Sequence, residues 1–348
     1  MGVMLLPGGV VRHALSLYQF PSGSRMSISD PLVLGTRGSE LALRQANAVR
    51  SRLEAAGHRV DLKTITTRGD EATDTPISEI GDEAVFTKEL DRALLDGGVD
   101  LAVHSLKDIP SSVPSGLTLA AIGKREDPLD AFVAHPSFEG HLQDLPEGAT
   151  VATASLRRTA QLRTWRSDLE IVPVRGNVDT RIQKLRESDW DGMVLAVAGL
   201  VRLGLSVHIR DRIDPDLIVP AVGQGALGIA CREGDEELSA LLWEVLHHAA
   251  SGYAAKAERA FLRKVGGGCQ VPLGAWARMD DGTLILDACI AALDGSEQYR
   301  DQRQCAPEEG VAVGRELAAD LLASGGDKIL DDVLGDRRQE PSPSPFRP

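Results

Sequence analysis

The chain has 348 residues, 43% hydrophobic and 26% charged, with a formal net charge of -13. That length implies two or three domains with a proper core, and the negative charge excludes general attraction to nucleic acid or an anionic membrane, which needs a positive field. No apolar run approaches membrane-spanning length. Cys231, Cys269, Cys289 and Cys305 show neither C-x-x-C pairing nor zinc-type spacing, so a reduced, cytoplasmic protein without a metal is expected.

Residues 1–29 carry Arg12 and Arg25 and no acid. They read as an organelle-targeting peptide or, more plainly, as a disordered extension, or as sequence ahead of a true translation start at Met26. From Pro31 short apolar runs alternate with helical periods. "LVLGTR" is a strand, and "SELALRQANAVRSRLEAAG" a helix with Ala42, Ala46, Val49, Leu53 and Ala56 on one face and Gly57 at its end. "RVDLKTITT" predicts a strand, "TKELDRALLDGG" a helix and "DLAVHS" a buried strand, which is βαβ grammar. A second round begins near Asp130, with strands at "GATVAT", "LEIVPV" and "DGMVLAVA" and helices at "SLRRTAQLRTW" and "NVDTRIQKLRE". Beyond residue 247 a helix, "YAAKAERAFLRKV", leads to antiparallel strands at "PLGAWARM" and "GTLILDACIAAL" and a helix near "VGRELAADLLA". Cys231 and Cys289 read as strand packing, and the Pro/Ser-rich "EPSPSPFRP" as an unstructured tail.

Basic charge is concentrated in the middle of the chain: residues 151–205 hold nine Lys/Arg against six Asp/Glu, a local +3 that leaves -16 for the remainder. In open α/β sheets ligands collect at the carboxyl ends of strands. That position is filled repeatedly by Arg37, Lys107, Arg157 with Arg158, Arg175 and Arg202, and Arg181 follows one and a half turns after Arg175. A single arginine there is normally a solvated side chain, but the repetition predicts a cleft for a ligand with several carboxylates, which guanidinium forks and helix N-termini both bind. Asp108, in "HSLKDIP", is the odd acid among these cations. It reads as a cap or surface ion pair, or as a group that steadies a cationic intermediate and moves a proton. His104 reads as a packed strand residue. Cys269, after three glycines in "KVGGGCQVPLG", is an incidental turn cysteine or a reactive thiol with space around its sulfur.

Taken in order, "GTRGSELALRQA", "TTRGD", "FTKEL", "AVHSLKDIP", "REDPLDAFV", "TASLRRTAQL", "VRGNVDTRIQKL", "LAVAGLVRLGL", "PAVGQGALGIACR" and "GGGCQVPLGA" resemble the porphobilinogen deaminase (hydroxymethylbilane synthase) family from about residue 31 to 335. The resemblance implies two periplasmic-binding-protein-like α/β lobes plus a small α+β C-terminal domain. Its domain limits are 30–126 with 223–243 for the first lobe, 127–222 for the second and 247–336 for the third domain, between the extension at 1–29 and a tail at 337–348. It also implies a transferase of tetrapyrrole (haem, chlorophyll, corrin) biosynthesis. Four porphobilinogen molecules are condensed head to tail with release of ammonia, and hydroxymethylbilane is then hydrolysed off. The implied cofactor is dipyrromethane, one per chain, joined by a thioether to Cys269.

By motif match Asp108 is the catalytic residue, and Lys107, Arg157, Arg158, Ser155 and Thr153 hold the cofactor. Arg37, Ser39, Gln45, Arg175, Gly176, Asn177, Arg181, Arg202 and Gln224 bind substrate. A monomer is expected, with product hand-off to uroporphyrinogen-III synthase as a further expectation. The chain departs from the family where a "GGKG" type lid is usual: "GDEAVFTKEL" places Asp82 and Glu83 there, so no role for a lid lysine is carried over. Ala154 likewise stands where a second hydroxyl is common. The alternative from another class is a non-catalytic two-lobed carboxylate-binding protein, which needs neither Cys269 nor Asp108; a thiol-dependent regulator is a weaker one.

Overall fold

The computed structural model describes residues 30–67, 87–266 and 271–335, so Cys269 and the Asp82–Glu83 departure lie outside the described residues. In chain order the first lobe runs β1 (Leu32–Thr36), α1 (Glu40–Ala55), β2 (Val60–Thr64), α2 (Lys88–Leu95), β3 (Leu101–Ser105) and β4 (Leu117–Ile122). The second follows with β5 (Asp130–Ala134), β6 (Thr150–Ala152), α3 (Leu156–Trp165), β7 (Glu170–Val172), α4 (Val178–Glu187), β8 (Gly192–Ala196), α5 (Val197–Leu203) and β9 (Asp211–Arg212). The chain then returns through β10 (Leu227–Arg232) and α6 (Glu236–Leu246). It ends with α7 (Ala249–Val265), β11 (Leu273–Asp280), β12 (Thr283–Ala291), β13 (Gln298–Cys305), α8 (Gly310–Leu321) and α9 (Asp327–Leu334).

Both lobes are five-stranded α/β sheets of one design, β2-β1-β3-β10-β4 and β7-β6-β8-β5-β9. In each, three parallel strands are joined by one antiparallel strand in fourth place: β10 against β3 and β4, and β5 against β8 and β9. The third domain is an antiparallel β11-β12-β13 meander packed on α7 and α8 around Phe261, Leu286 and Leu317. This is the two-lobed α/β architecture with a smaller α+β domain expected from the sequence pattern.

Local chemistry explains the elements that frame the cleft. Ser39 caps α1 by accepting from Ala42 N, Glu40 complements the helix dipole in the first turn, and Gln45, Ala46, Val49 and Leu53 form the buried face. Ala56, expected on that face, is exposed because the helix has already ended and Gly57 turns the chain away at φ +97°. β13 was not legible in the sequence. "QYRDQRQC" lacks an apolar alternation because it is the edge strand of a small sheet.

Two segments, 123–129 and 219–227, carry the chain between the lobes and are tied together by Gly123 N to Leu227 O (3.0 Å) and Glu126 N to Gly225 O (3.1 Å). Gly225 has φ +86°, and a Cβ there would collide with the Glu126 carbonyl, so the close approach of the two strands requires glycine.

The third domain sits on this crossover. Glu258 of α7, fully buried, accepts from Gly223 N (2.6 Å), Ala277 N (2.7 Å) and Arg125 Nη1 (2.5 Å), while Arg125 Nε donates to Gln224 O (2.7 Å). Its neighbour Arg259 donates to the carbonyls of Ile109 (3.2 Å) and Pro110 (2.7 Å), directly after Asp108; burial, and then Arg263, push its pKa down to about 10. Glu258→Ala strands a largely buried guanidinium and two backbone N–H groups. It is expected to cost about 3–5 kcal/mol, read as a lowered urea midpoint.

Candidate active site

The carboxyl ends of β1, β3, β6 and β8 open onto one cavity of about 750 Å³ between the lobes. The first lobe contributes Arg37 just past β1, Ser39 and Gln45 from α1, and Ser105, Lys107 and Asp108 from the end of β3 and the 3-10 turn after it. The second contributes Arg158 from α3, Arg175, Gly176 and Asn177 from the turn into α4, Arg181 and Lys184 from α4, and Arg202 from α5. Seven of the lining side chains are therefore Lys or Arg, in a chain whose net charge is -13.

Arg181, Arg202 and Lys107 are each held differently. Arg181 Nε donates to Gly176 O (2.7 Å), which fixes the tight turn that Gly176 makes at φ +110°. Burial, reinforced by the charges of Arg158 and Arg175 and opposed by Asp108, brings the Arg181 pKa down to about 10. Arg202 Nη2 reaches from the second lobe to the crossover carbonyl of Gly225 (2.6 Å). Lys107 Nζ donates to Gln224 Oε1 (3.2 Å). Burial pushes its pKa down to about 8, Asp108 and Asp130 acting against this and Arg158 and Arg157 with it. Asp108 lines the cavity between these groups and has no hydrogen-bond partner among the described residues.

Four of the predicted site residues do not line the cavity. Arg157 and Arg158 both turn inward to Asp130, which is fully buried at the start of β5. Arg157 Nη1 lies 2.7 Å from Oδ2, and Arg158 Nε and Nη2 lie 3.0 and 2.6 Å from Oδ1. Gln224 Nε2 joins them at 3.0 Å. Burial opposes ionisation of Asp130, but the two guanidiniums and the hydrogen bonds from Arg157 and Gln224 outweigh it and hold the carboxyl well below the usual carboxylate range. Arg158 still reaches the cavity wall; Arg157 and Gln224 stand behind it. Ser155 is the N-cap of α3, accepting from Arg158 N, and Thr153 is buried with its Oγ1 accepting from Ser155 N (3.2 Å). Both shape the turn that presents Arg158.

Sequence reasoning passed over Asp130, Ser105 and Lys184. Lys184 carried a readable signal, because it follows Arg181 by three residues on the same helix face. Ser105, whose Oγ accepts from Gln45 Nε2 (2.9 Å), and Asp130 carried none.

Fold and site together define a two-lobed α/β protein built around a cationic cleft, whose lining also includes the carboxylates of Glu40, Asp108 and Asp179. The family described as "Porphobilinogen deaminase, dipyromethane cofactor binding domain" matches residues 32–240, and "Porphobilinogen deaminase, C-terminal domain" matches residues 253–323. A porphobilinogen deaminase of Syntrophomonas wolfei is 48% identical over 301 residues, covering 86% of this chain and 97% of that protein. One of Nitrosomonas europaea is 47% identical over 307 residues, covering 88% and 99%. The chain belongs to the porphobilinogen deaminase family.

Among solved structures, a YaeC-family lipoprotein of Enterococcus faecalis is similar with TM-score 0.38 at 15% identity, covering 63% of this chain and 92% of that one. A periplasmic substrate-binding protein of an ABC transporter from Coxiella burnetii gives TM-score 0.37 at 16% identity, covering 62% and 91%. At such scores these likenesses add nothing to the strand order itself. No helix among the described residues is long and apolar enough to cross a membrane.

Proposed function

We propose that this chain is a transferase of tetrapyrrole biosynthesis that joins four porphobilinogen molecules head to tail, releases ammonia at each step and finally hydrolyses off hydroxymethylbilane. The observation that carries the reading is the gathering of seven cationic side chains around Asp108 in one cleft, within a chain of this family. Each pyrrole brings an acetate and a propionate, so the ligand is a polycarboxylate of the kind such a cleft binds. The family match and Asp108 together disfavour a non-catalytic carboxylate binder.

The same donor set fits the family's dipyrromethane cofactor, which is itself a polycarboxylate. When bound through Cys269 it supplies the primer to which the first pyrrole is joined. Lys107 and Arg158 would hold its carboxylates, with Arg157, Ser155 and Thr153 fixing Arg158 from behind. Arg37, Arg175, Arg181 and Arg202, with Ser39, Gln45 and Asn177, would orient incoming porphobilinogen. Loss of ammonia from the substrate's aminomethyl group leaves a cationic methylene-pyrrole. The Asp108 carboxylate steadies that charge beside the pyrrole N–H and takes the proton displaced when the next α-carbon attacks. Gly176 and Gln224 act through Arg181 and Lys107, which they hold.

Incubation with porphobilinogen tests the activity: one hydroxymethylbilane and four ammonia per four substrate molecules support it, and binding without turnover refutes it. A pH profile tests Lys107. Its folded-state pKa is depressed to about 8, so the cation is present below that pH and lost as pH rises through it. The hold on the cofactor's carboxylates weakens with it, so kcat is expected to fall above pH 8, by about tenfold for one charge-assisted hydrogen bond, with KM little changed, and Lys107→Arg is expected to flatten the fall.

A further inference from the structure

Beside the main cleft lies a second cavity of about 60 Å³ that shares Arg37, Ser39, Gln45, Ser105 and Asp108 with it and adds His104. His104 sits in β3, only 6% exposed, and its imidazole has no hydrogen-bond partner among the described residues. Buried polar groups normally find partners. This one instead lines the small cavity beside Asp108. Burial, and then the charge of Arg37, push its pKa down to about 4, so near neutral pH the ring is uncharged and offers one donor and one acceptor.

The walls are amphoteric. Arg37, the Ser39 and Ser105 hydroxyls and the imidazole can donate; Asp108, the Gln45 amide and the other imidazole nitrogen can accept. A carboxylate would meet Asp108 and a cation would meet Arg37, whereas a small neutral molecule with both donors and a lone pair suits all of them. A water molecule needs roughly 10–15 Å³ of such space, so the pocket has room for a few water-sized molecules and none for a pyrrole ring.

We propose that this pocket binds the small neutral molecule exchanged at the reacting carbon: ammonia as it leaves and water as it enters. The inference rests on the proposed reaction. In each condensation the bond from the methylene carbon to the ammonium nitrogen breaks, the electron pair stays with nitrogen, and neutral ammonia departs while the positive charge remains on the methylene-pyrrole. In the final step the oxygen of water bonds to a carbon of the same kind and its proton passes to Asp108. Leaving nitrogen and entering oxygen occupy equivalent positions on that carbon, so one pocket beside Asp108 serves both, with His104 as a positioning residue.

Turnover with added ammonium chloride at mildly alkaline pH tests this, because reversal of the C–N cleavage ends the product in an aminomethyl instead of a hydroxymethyl group. The ratio of the two products, read by mass spectrometry, is expected to saturate with ammonia and to fall steeply when ammonia is replaced by methylamine and then propylamine. His104→Leu is expected to make the dependence linear, weaken the size preference and lower kcat about tenfold with KM little changed; His104→Asn, which keeps a donor and an acceptor, restores most of both. A linear, size-blind dependence in the unaltered protein overturns the proposal, as does unchanged saturation in His104→Leu. Should that variant not fold, the amine series on the unaltered protein decides alone. Failure of the unaltered protein to consume porphobilinogen would sink the proposed function instead.

Discussion

Asp108→Asn is expected to fold normally, to bind porphobilinogen with a KM close to that of the unaltered protein, and to lose about 10²–10⁴-fold in kcat. The separation follows from the geometry. Asp108 has no hydrogen-bond partner among the described residues, so an isosteric amide strands no buried group. The guanidiniums to which the proposed function gives the carboxylate arms are attached elsewhere, Arg181 to Gly176 and Arg202 to Gly225. What disappears is a negative charge placed where positive charge develops, and that loss falls on the transition state alone. Near-normal kcat in this variant would move the catalytic role to another group. A large rise in KM with kcat unchanged would make Asp108 a binding residue.

Asp130→Ala is expected to be the most damaging substitution for stability in the second lobe, about 3–5 kcal/mol, read as a lowered thermal unfolding temperature and urea midpoint. The carboxylate is fully buried, and two guanidiniums, themselves 5% and 7% exposed, have it as their counter-ion. Removing it leaves two positive charges next to each other without compensation. Asp130→Asn keeps the shape but not the charge, so it should fall between. The sign of the pH dependence is fixed as well. A folded-state pKa lowered below the unfolded one means that this stabilisation is complete above the ordinary carboxylate range and is lost as pH falls toward the folded value. Because Gln224 bonds both Asp130 and Lys107, the same substitution should also loosen Lys107, which the proposed function gives to the cofactor's carboxylates, and lower kcat.

Arg157 and Arg158 show where sequence reading stops. Strand ends, helix starts and the recurrence of basic residues at them were visible as local patterns, and these placed Arg37, Lys107, Arg175, Arg181 and Arg202 on one cavity. The partner of the Arg157 and Arg158 pair was not visible, because Asp130 lies 27 and 28 residues away at the start of a strand and nothing local marks it as a counter-ion. Thr153 and Ser155 stand behind the cavity wall, which was not visible for a related reason. A hydroxyl just before a helix reads equally as a ligand contact or as a cap, and only tertiary placement tells that Ser155 caps α3. The antiparallel returns of β5 and β10 carry no periodic signature that distinguishes them from the parallel strands β1, β3 and β8, which are equally buried apolar runs. The sequence pattern makes His104 a packed strand residue. It is one by burial, yet the cavity against which its ring lies depends on Gln45 and Ser105 arriving from two different elements.

Intact-mass spectrometry of the purified protein mixed with limiting porphobilinogen tests the account most directly. The predicted result is a polypeptide already heavier than its sequence by a two-pyrrole group, followed by a ladder of species each one pyrrole heavier, all absent from Cys269→Ser. Product forming in solution while only the bare polypeptide mass is seen would contradict it.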